Sequence, residues 1–475
     1  MREKYGHFIS GVYVDPNSNK YIDSINPHDA SVTTQIAEGN AADVEQAIQS
    51  AKEAQALWKS MRALERGKIL INVGRALRDN INMLTKIESL EMGMPVKAAL
   101  GSMETAANYM EYYGGLAPSI QGETLPMGPN THAYTLHEPY GVIGLITPWN
   151  APLNQTTRGL GPALAAGNTI VQKPSEHTSL TALIMAELAV KAGLPPGVWN
   201  VVTGYGNDVG DAIVRHPNTK KVSFTGSLRT GQIIGNVAAE KIMPVTLELG
   251  GKSPNIIFED ADFHKTIPGV LTGFVANSGQ ICSAGTRILV QKSIYDKFSH
   301  ALAEAASDIP IGNDKAYPSL GPIANKEQYE KVLGYYETAK DEGAVALTGG
   351  GPVEESKGYY VKPTVYTNVQ NDMRIYKEEV FGPVGVLIPF ETEEEAIQIA
   401  NDSEYGLAAG IWTQDVSRVH RVAAKIQAGQ IFVNSYYDSG VEAPFGGYKK
   451  SGIGREKGMI AIKNYLQVKS VIVKI

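Results

Sequence analysis

Apolar and polar positions change rhythm twice along the chain. Over residues 8–39, short apolar runs alternate with Asn, Pro, Asp and Gly, the pattern of short strands and turns. Between 41 and 60, Val44, Ala47, Ile48, Ala51, Ala54 and Leu57 recur at helical spacing and predict a helix. A longer helical tract over 64–91 stops before Gly93 and Pro95, and another over 97–113 is broken by Gly114 and Gly115. From Gly141 continuous apolar runs alternate with helical patterns. The predicted strands cover 141–147, 169–173, 199–203, 221–224 and 245–249, with helices over 159–166, 180–192, 208–215 and 230–239. Alternation at this spacing predicts an α/β fold with a parallel, helix-covered sheet. Such sheets bind ligands at the carboxyl ends of their strands.

A second alternating region follows. Strands are predicted over 254–258, 287–291, 384–390, 410–413 and 430–434, and helices over 328–341, 394–402 and 417–427. The last ten residues alternate Val and Ile with Lys and Ser, the mark of a half-exposed strand. Such an edge invites pairing unless another strand or chain covers it.

Composition narrows the function classes. The 475 residues are 43% hydrophobic and 19% charged, ordinary for a globular protein, with a formal net charge of -6. No basic run offers phosphates a docking stripe, so nucleic acid is not an expected partner. Apolar runs are strand-sized, so no membrane span is expected. The N-terminal MREKYGHFIS lacks a charged-then-apolar leader. With a single cysteine, a reducing cytoplasm is the expected compartment.

That cysteine, Cys282, stands in NSGQICSAGTR (277–287), with small residues on both sides that leave its sulfur reachable. It reads either as a buried inert thiol or as a nucleophile. Six further stretches each have a plain and a chemical reading. FTGSLRTG (224–231) opens a helix with small residues, as a phosphate site or an ordinary cap does. TIVQKPSE (169–176) ends a strand with Lys173, Ser175 and Glu176, able to grip a ribose or to form a solvated turn. In VTLELGG (245–251) Glu248 is a carboxylate in an apolar strand, costly unless paired with a lysine or used as a general base. TPWN (147–150) ends a strand with Asn150, whose amide can donate to an oxyanion or merely form a turn. EEVFGP (378–383) and APFGGYKKS (443–451) are turns carrying aromatics.

Taken in order, TPWN, KPSE, FTGS, LELGGK, GQIC, EEVFGP and PFGGYKKSG resemble the NAD(P)-dependent aldehyde dehydrogenase superfamily over nearly the whole chain. The resemblance implies a Rossmann-like cofactor domain from 1–117 and 137–247 and an α/β catalytic domain over 248–453. It also implies a small β arm for self-association as a dimer or tetramer, from 118–136 and 454–475. Cys282 would attack an aldehyde to form a thiohemiacetal, with Asn150 and the Cys282 backbone N–H holding the oxyanion. Hydride transfer to the nicotinamide would leave a thioester, and Glu248 would activate water to release a carboxylic acid. Lys173, Ser175 and Glu176 would meet the adenosine ribose, Gly226 and Ser227 the pyrophosphate, and Gly206, Gly210 and Thr230 the adenine. Ile146, Pro148, Trp149, Leu249, Glu379 and Phe381 complete the implied cofactor site. Glu176 would repel a 2′-phosphate, so NAD is expected in preference to NADP. No metal is implied.

Departures from the family pattern bear on the substrate. The run after Asn150 is APLNQTTR (151–158), where many relatives carry aromatics, and the late loop NSYYDSGVEAP (434–444) puts Ser439 at a frequent aromatic position while Phe445 is kept. Asn154 and Arg158 suggest a polar or carboxylate-bearing tail, or else Arg158 folds back onto an acidic group of the protein. An aromatic cage for a quaternary ammonium is depleted, which disfavours betaine aldehyde. A CoA-acylating enzyme is a rival that Glu248 argues against. A non-catalytic binding protein is argued against by Cys282, Glu248 and Asn150 together. A cysteine hydrolase needs a histidine base near the cysteine, and no histidine lies beside the Cys282 motif.

Overall fold

The computed structural model describes residues 2–312 and 319–475. Its largest sheet has eight strands, in the order Gly452–Ile453, Val245–Glu248, Thr219–Thr225, Val142–Ile146, Thr169–Lys173, Trp199–Val201, His7–Ile9 and Val12–Val14. The five central strands run parallel, as their continuous apolar runs predict, and antiparallel strands close both ends. A second sheet has seven strands, ordered Val345–Thr348, Thr364–Thr367, Val384–Phe390, Arg287–Gln291, Pro254–Ile257, Ala408–Trp412 and Gln430–Val433. All but its first strand are parallel. Ile143, Ile170, Val201, Ile256, Ile288 and Leu387 are fully buried on these sheets. Each such side chain contributes about 1.5–3 kcal/mol by leaving water.

A third sheet is small and antiparallel. Leu466–Lys474 pairs along its full length with Thr131–Pro139, which also pairs with Thr124–Leu125. Its outer strand leaves Val468 and Ile472 about 60% exposed, at 63% and 61%.

Four sequence expectations change. The helix expected to break at Gly114 and Gly115 runs through both and spans Val96–Leu116. The tract over 64–91 is two helices, Ala63–Asp79 and Ile81–Met92, parted at Asn80. There the Asn80 side chain donates to the Ala76 carbonyl (2.8 Å), the local competition that makes Asn a poor mid-helix residue. The helix predicted over 159–166 begins earlier and spans Pro152–Ala165. Pro152 fits the first turn, where its missing N–H has no partner to lose. Gly159 and Gly161 blur the apolar period because Leu145 and Tyr113 pack where their side chains would stand. The stretch 208–215 opens as a wide turn, Gly206–Gly210, before the helix Asp211–Arg215.

Two longer helices lay outside the expected pattern altogether, Phe263–Val275 and Tyr295–Ser307. Phe263–Val275 is capped by the Asp262 side chain, which accepts the His264 N–H at 3.1 Å, and it delivers the chain to the cysteine loop. No helix among the described residues is long and apolar enough to cross a membrane.

Candidate active site

The cysteine loop leaves that helix through three consecutive left-handed residues, Asn277, Ser278 and Gly279 (φ 51°, 55° and 73°). The two non-glycine residues cost about 1–2 kcal/mol each in this conformation. A side chain at Gly279 would strike the Gly382 carbonyl at 2.0 Å. Two side chains hold the loop against the strain through three hydrogen bonds. Ser278 Oγ donates to the Gly321 carbonyl (2.7 Å), Gln280 Nε2 donates to the Asn277 carbonyl (2.9 Å), and Gln280 Oε1 accepts the Ala324 N–H (2.9 Å). Cys282 follows, half-buried.

Asn150 arrives from the end of the strand Val142–Ile146, in the other sheet. Its Nδ2 donates to the Gln280 carbonyl (2.9 Å), while its own carbonyl accepts from Asn277 Nδ2 (2.8 Å). These bonds tie the strand end to the cysteine loop. One Asn150 amide hydrogen is spent on Gln280, and an amide has two.

Glu248 ends the strand Val245–Glu248 with 1% exposure, and neither carboxylate oxygen has a hydrogen-bond partner. The lysine partner weighed for it from sequence is absent among the described residues. Burial holds its pKa well above the ordinary carboxylate value, and Glu456 adds to this, while Arg158 and Arg455 oppose it. Burial also pushes the Cys282 thiol up to about 12, with Arg158 opposing and Glu379 and Glu248 assisting. At neutral pH Cys282 therefore rests as a thiol, and burial favours the neutral form of Glu248.

Asn150, Glu248 and Cys282 share one cleft with Pro148, Trp149, Gly226, Ser227, Leu249, Glu379 and Phe381. It encloses about 610 Å³, counting the space open to solvent. Trp149 and Phe381 meet edge to face (5.3 Å between centroids). Glu379 Oε1 accepts the Gly251 N–H (3.0 Å), and burial raises its pKa to about 6. A side chain at Gly250 would meet Glu379 at 2.3 Å. Ser227 caps the helix Leu228–Lys241. Its Oγ accepts the Thr230 N–H (3.3 Å) and donates to Thr230 Oγ1 (3.0 Å).

The remaining predicted cofactor residues lie at strand ends of the same sheet. Ile146 is buried at the end of its strand. Lys173 Nζ meets Glu176 Oε2 at 2.6 Å, and the lysine outweighs burial to leave the Glu176 pKa lowered. Ser175 Oγ accepts the His177 N–H (3.4 Å). Gly206 and Gly210 bound the wide turn, and a side chain at either would meet only open space.

Arg158 takes the second of its two expected positions. It folds back onto Glu456, Nε to Oε2 at 2.5 Å, with side-chain exposures of 6% and 5%. This is a charge contact without hydrogen-bond alignment. The guanidinium also donates to Thr225 Oγ1 (3.3 Å) and lies over the Phe445 ring (5.1 Å). Its charge is therefore neutralised within the protein, which corrects the expectation of a free guanidinium for substrate. Asn154 is half-buried on the same helix, and its carbonyl accepts from Thr157 Oγ1 (3.2 Å). Ser439 is exposed, and its hydroxyl accepts from Lys457 Nζ (3.2 Å).

Sequence reasoning passed over Glu456 and Lys457. They stand in GIGREKG, where an acid–base pair between glycines reads as a solvated turn. The available signal was Arg158 just ahead of the apolar run LGPALA, since a buried cation demands an acid.

Comparison with known proteins gives the following. The sequence model of the Aldehyde dehydrogenase family matches residues 13–471. The Bacillus subtilis (strain 168) protein DhaS, which carries the name of an aldehyde dehydrogenase, is 43% identical over 472 residues, covering 98% of this chain and 95% of that protein. The NAD+ complex of an aldehyde dehydrogenase from Bacillus cereus superposes with a TM-score of 0.98 at 43% identity, covering 100% of this chain and 97% of that one. A betaine aldehyde dehydrogenase from Staphylococcus aureus in complex with NAD+ superposes with a TM-score of 0.97 at 39% identity, covering 99% and 94%.

Proposed function

From a chain that belongs to the aldehyde dehydrogenase family, we propose NAD-dependent oxidation of an aldehyde to a carboxylic acid, with water as final acceptor. The observation that carries this reading is one cleft holding Cys282, Asn150 and Glu248 beside Gly226, Ser227, Glu379 and Phe381.

The residues present fit NAD. The Trp149–Phe381 rings and the Glu379 carboxylate line the cleft, and the Ser227 cap opens a helix N-terminus suited to phosphate. Lys173 and Glu176 would hold the adenosine ribose, Gly206 and Gly210 offer open backbone beside it, and Glu379 would hold the nicotinamide ribose. Glu176 accepts hydroxyls and repels a 2′-phosphate, which favours NAD over NADP. When bound, NAD supplies the hydride acceptor.

The chain's own residues do the rest. The Cys282 thiol gives its proton to solvent in the open cleft, and Sγ, as thiolate, bonds to the aldehyde carbon. The second Asn150 amide hydrogen and the Cys282 backbone N–H are the donors for the resulting oxyanion. Loss of hydride leaves a thioester on Cys282. Glu248, as carboxylate, takes a proton from the water that attacks this thioester, and the C–S bond breaks to return the thiolate. A carboxylate free of hydrogen bonds suits this role, because no partner has to be broken before it accepts the proton. Self-association through the exposed face and open edge of Leu466–Lys474 belongs to the same reading.

The test is NADH formation by the purified protein against aldehydes from short aliphatic to aromatic to carboxylated, with NADP and CoA arms, beside Cys282→Ala. Turnover with NAD alone, lost in the variant, is the expected result. A requirement for CoA, or full activity in the variant, refutes the reading.

A further inference from the structure

One cation close to the Arg158–Glu456 pair has no matching acid among the described residues. Arg158 and Glu456 neutralise each other. Next to Glu456, the side chain of Lys457 turns to the late loop. It is only 8% exposed, yet its ammonium has one recorded partner, the hydroxyl of the exposed Ser439 (3.2 Å). No ion pair involves Lys457 among the described residues. Glu442 is the carboxylate whose charge it feels, and that side chain is exposed and outside ion-pairing reach. Arg158, which lies within electrostatic range of Cys282 and Glu248, also acts on Lys457. A nearly buried ammonium beside a guanidinium, with no acid of its own, is an expensive arrangement.

The backbone adds a second, independent observation. Lys457 has φ 61° and ψ 167°, a region populated almost solely by glycine. A lysine here costs about 1–3 kcal/mol that a glycine would not. Both the backbone and the side chain are therefore held at a cost, and nothing in the fold uses the charge.

We propose that Lys457, with the Ser439 hydroxyl, is a specificity-determining anion subsite that receives the carboxylate tail of a carboxylated aldehyde while its carbonyl reaches Cys282. This rests on the aldehyde oxidation proposed above. The ammonium ends at the hydroxyl of Ser439, a residue exposed on the late loop. A carboxylate arriving there replaces the missing acid and completes a charge-assisted hydrogen bond. An uncharged tail of equal size leaves the ammonium as it is, without new pairing. Arg158 cannot take this part, since its charge is already matched by Glu456.

The experiment compares kcat/KM for ω-carboxylated straight-chain aldehydes of increasing length with uncharged aldehydes of matched length, in the wild type, Lys457→Met, Lys457→Arg and Lys457→Gly. The expected result is a preference for a carboxylated aldehyde in the wild type. That preference falls about tenfold to hundredfold in Lys457→Met and Lys457→Gly, the loss of one hydrogen bond to a charged group. Lys457→Arg keeps most of it. Lys457→Gly also relieves the backbone and folds at least as stably, so a general folding defect cannot imitate the effect. Absence of preference in the wild type, or an undiminished preference in Lys457→Met, overturns the proposal. Calorimetric binding of a short dicarboxylate against the matched monocarboxylate, in wild type and Lys457→Met, separates the two readings. If no aldehyde is oxidised but the dicarboxylate binds more tightly and only with Lys457 present, the subsite stands and the oxidation falls. If aldehydes are oxidised and the two acids bind alike, the subsite falls and the oxidation stands.

Discussion

Replacing Arg158 by Met removes a cation that sits against Glu456 with almost no access to water, since their side chains are 6% and 5% exposed. The substitution keeps the apolar stem and leaves Glu456 as a buried carboxylate without its counter-charge. Breaking a buried pair in this way costs about 3–5 kcal/mol. At about 2–4 °C per kcal/mol, the value for a domain of 150–250 residues, the apparent melting midpoint falls by about 6–20 °C. Glu456→Gln strands the guanidinium and has an effect of the same sign. The double variant Arg158→Met/Glu456→Gln strands neither charge and recovers more than half of the loss, read by thermal and urea unfolding. Catalysis gives a second readout. Arg158 lowers the Glu248 pKa and Glu456 raises it. The acid limb of the pH–kcat profile therefore moves to higher pH in Arg158→Met and to lower pH in Glu456→Gln. The ratio of carboxylated to uncharged aldehyde turnover stays the same in Arg158→Met. An unshifted midpoint with a selective loss of carboxylated substrates would refute the reasoning, for it would make Arg158 the tail-binding cation after all.

Three further outcomes are expected. Glu248→Gln slows steady-state turnover by about 10²–10⁴-fold, the usual share of a general base. It retains a burst of NADH near one equivalent per active site in rapid mixing, and a burst lost with the steady state would remove Glu248 from thioester hydrolysis. Glu176→Thr raises the ratio of NADP to NAD use by about tenfold or more, because a like-charge contact worth several kcal/mol is removed. An unchanged ratio in coupled kinetics would show that Glu176 does not discriminate. The buried acids Glu88 and Glu91 are held up to about 7 and about 8, chiefly by burial, against an ordinary 4.5. A raised carboxylate pKa means the folded state binds the proton more tightly, so this contribution is full below pH 4.5 and lost as pH rises through 7 and 8. Urea midpoints between pH 5 and 9 should fall with pH in the wild type and fall less in Glu91→Gln. A rise with pH would contradict the sign.

How far the sequence reaches depends on the kind of constraint. Most of the parallel strands were legible as apolar runs bounded by glycine or polar residues, and Thr169–Lys173 was located to the residue, but Thr364–Thr367, two apolar residues between threonines, was not. Cys282, Glu248 and Asn150 were legible as candidates because each breaks a local rule: a lone thiol among small residues, a carboxylate in an apolar strand, an amide at a strand end. What could not be read is which side chains meet across the fold. Nothing in the local pattern of Arg158 distinguishes a tail-binding cation from one matched by an acid 298 positions later, because the pairing depends on how residues 452–453 close the sheet edge. The helix Phe263–Val275 was missed for a related reason. Pro268 and Gly269 interrupt its period, and Gly269 is required there by Trp412, whose ring stands where a side chain would be.

The same consideration accounts for Lys457. Its cost in the folded protein is invisible in sequence, since a lysine between a glutamate and a glycine satisfies every local preference for a surface turn. The cost exists only once the chain forces φ 61° on it and encloses its stem beside Arg158. Arg158 is matched by Glu456 and Lys173 by Glu176, and burial favours the neutral forms of Glu248 and the Cys282 thiol. Lys457, beside the first pair, has no acid of its own, and an uncompensated charge is where an oppositely charged substrate gains the most from binding.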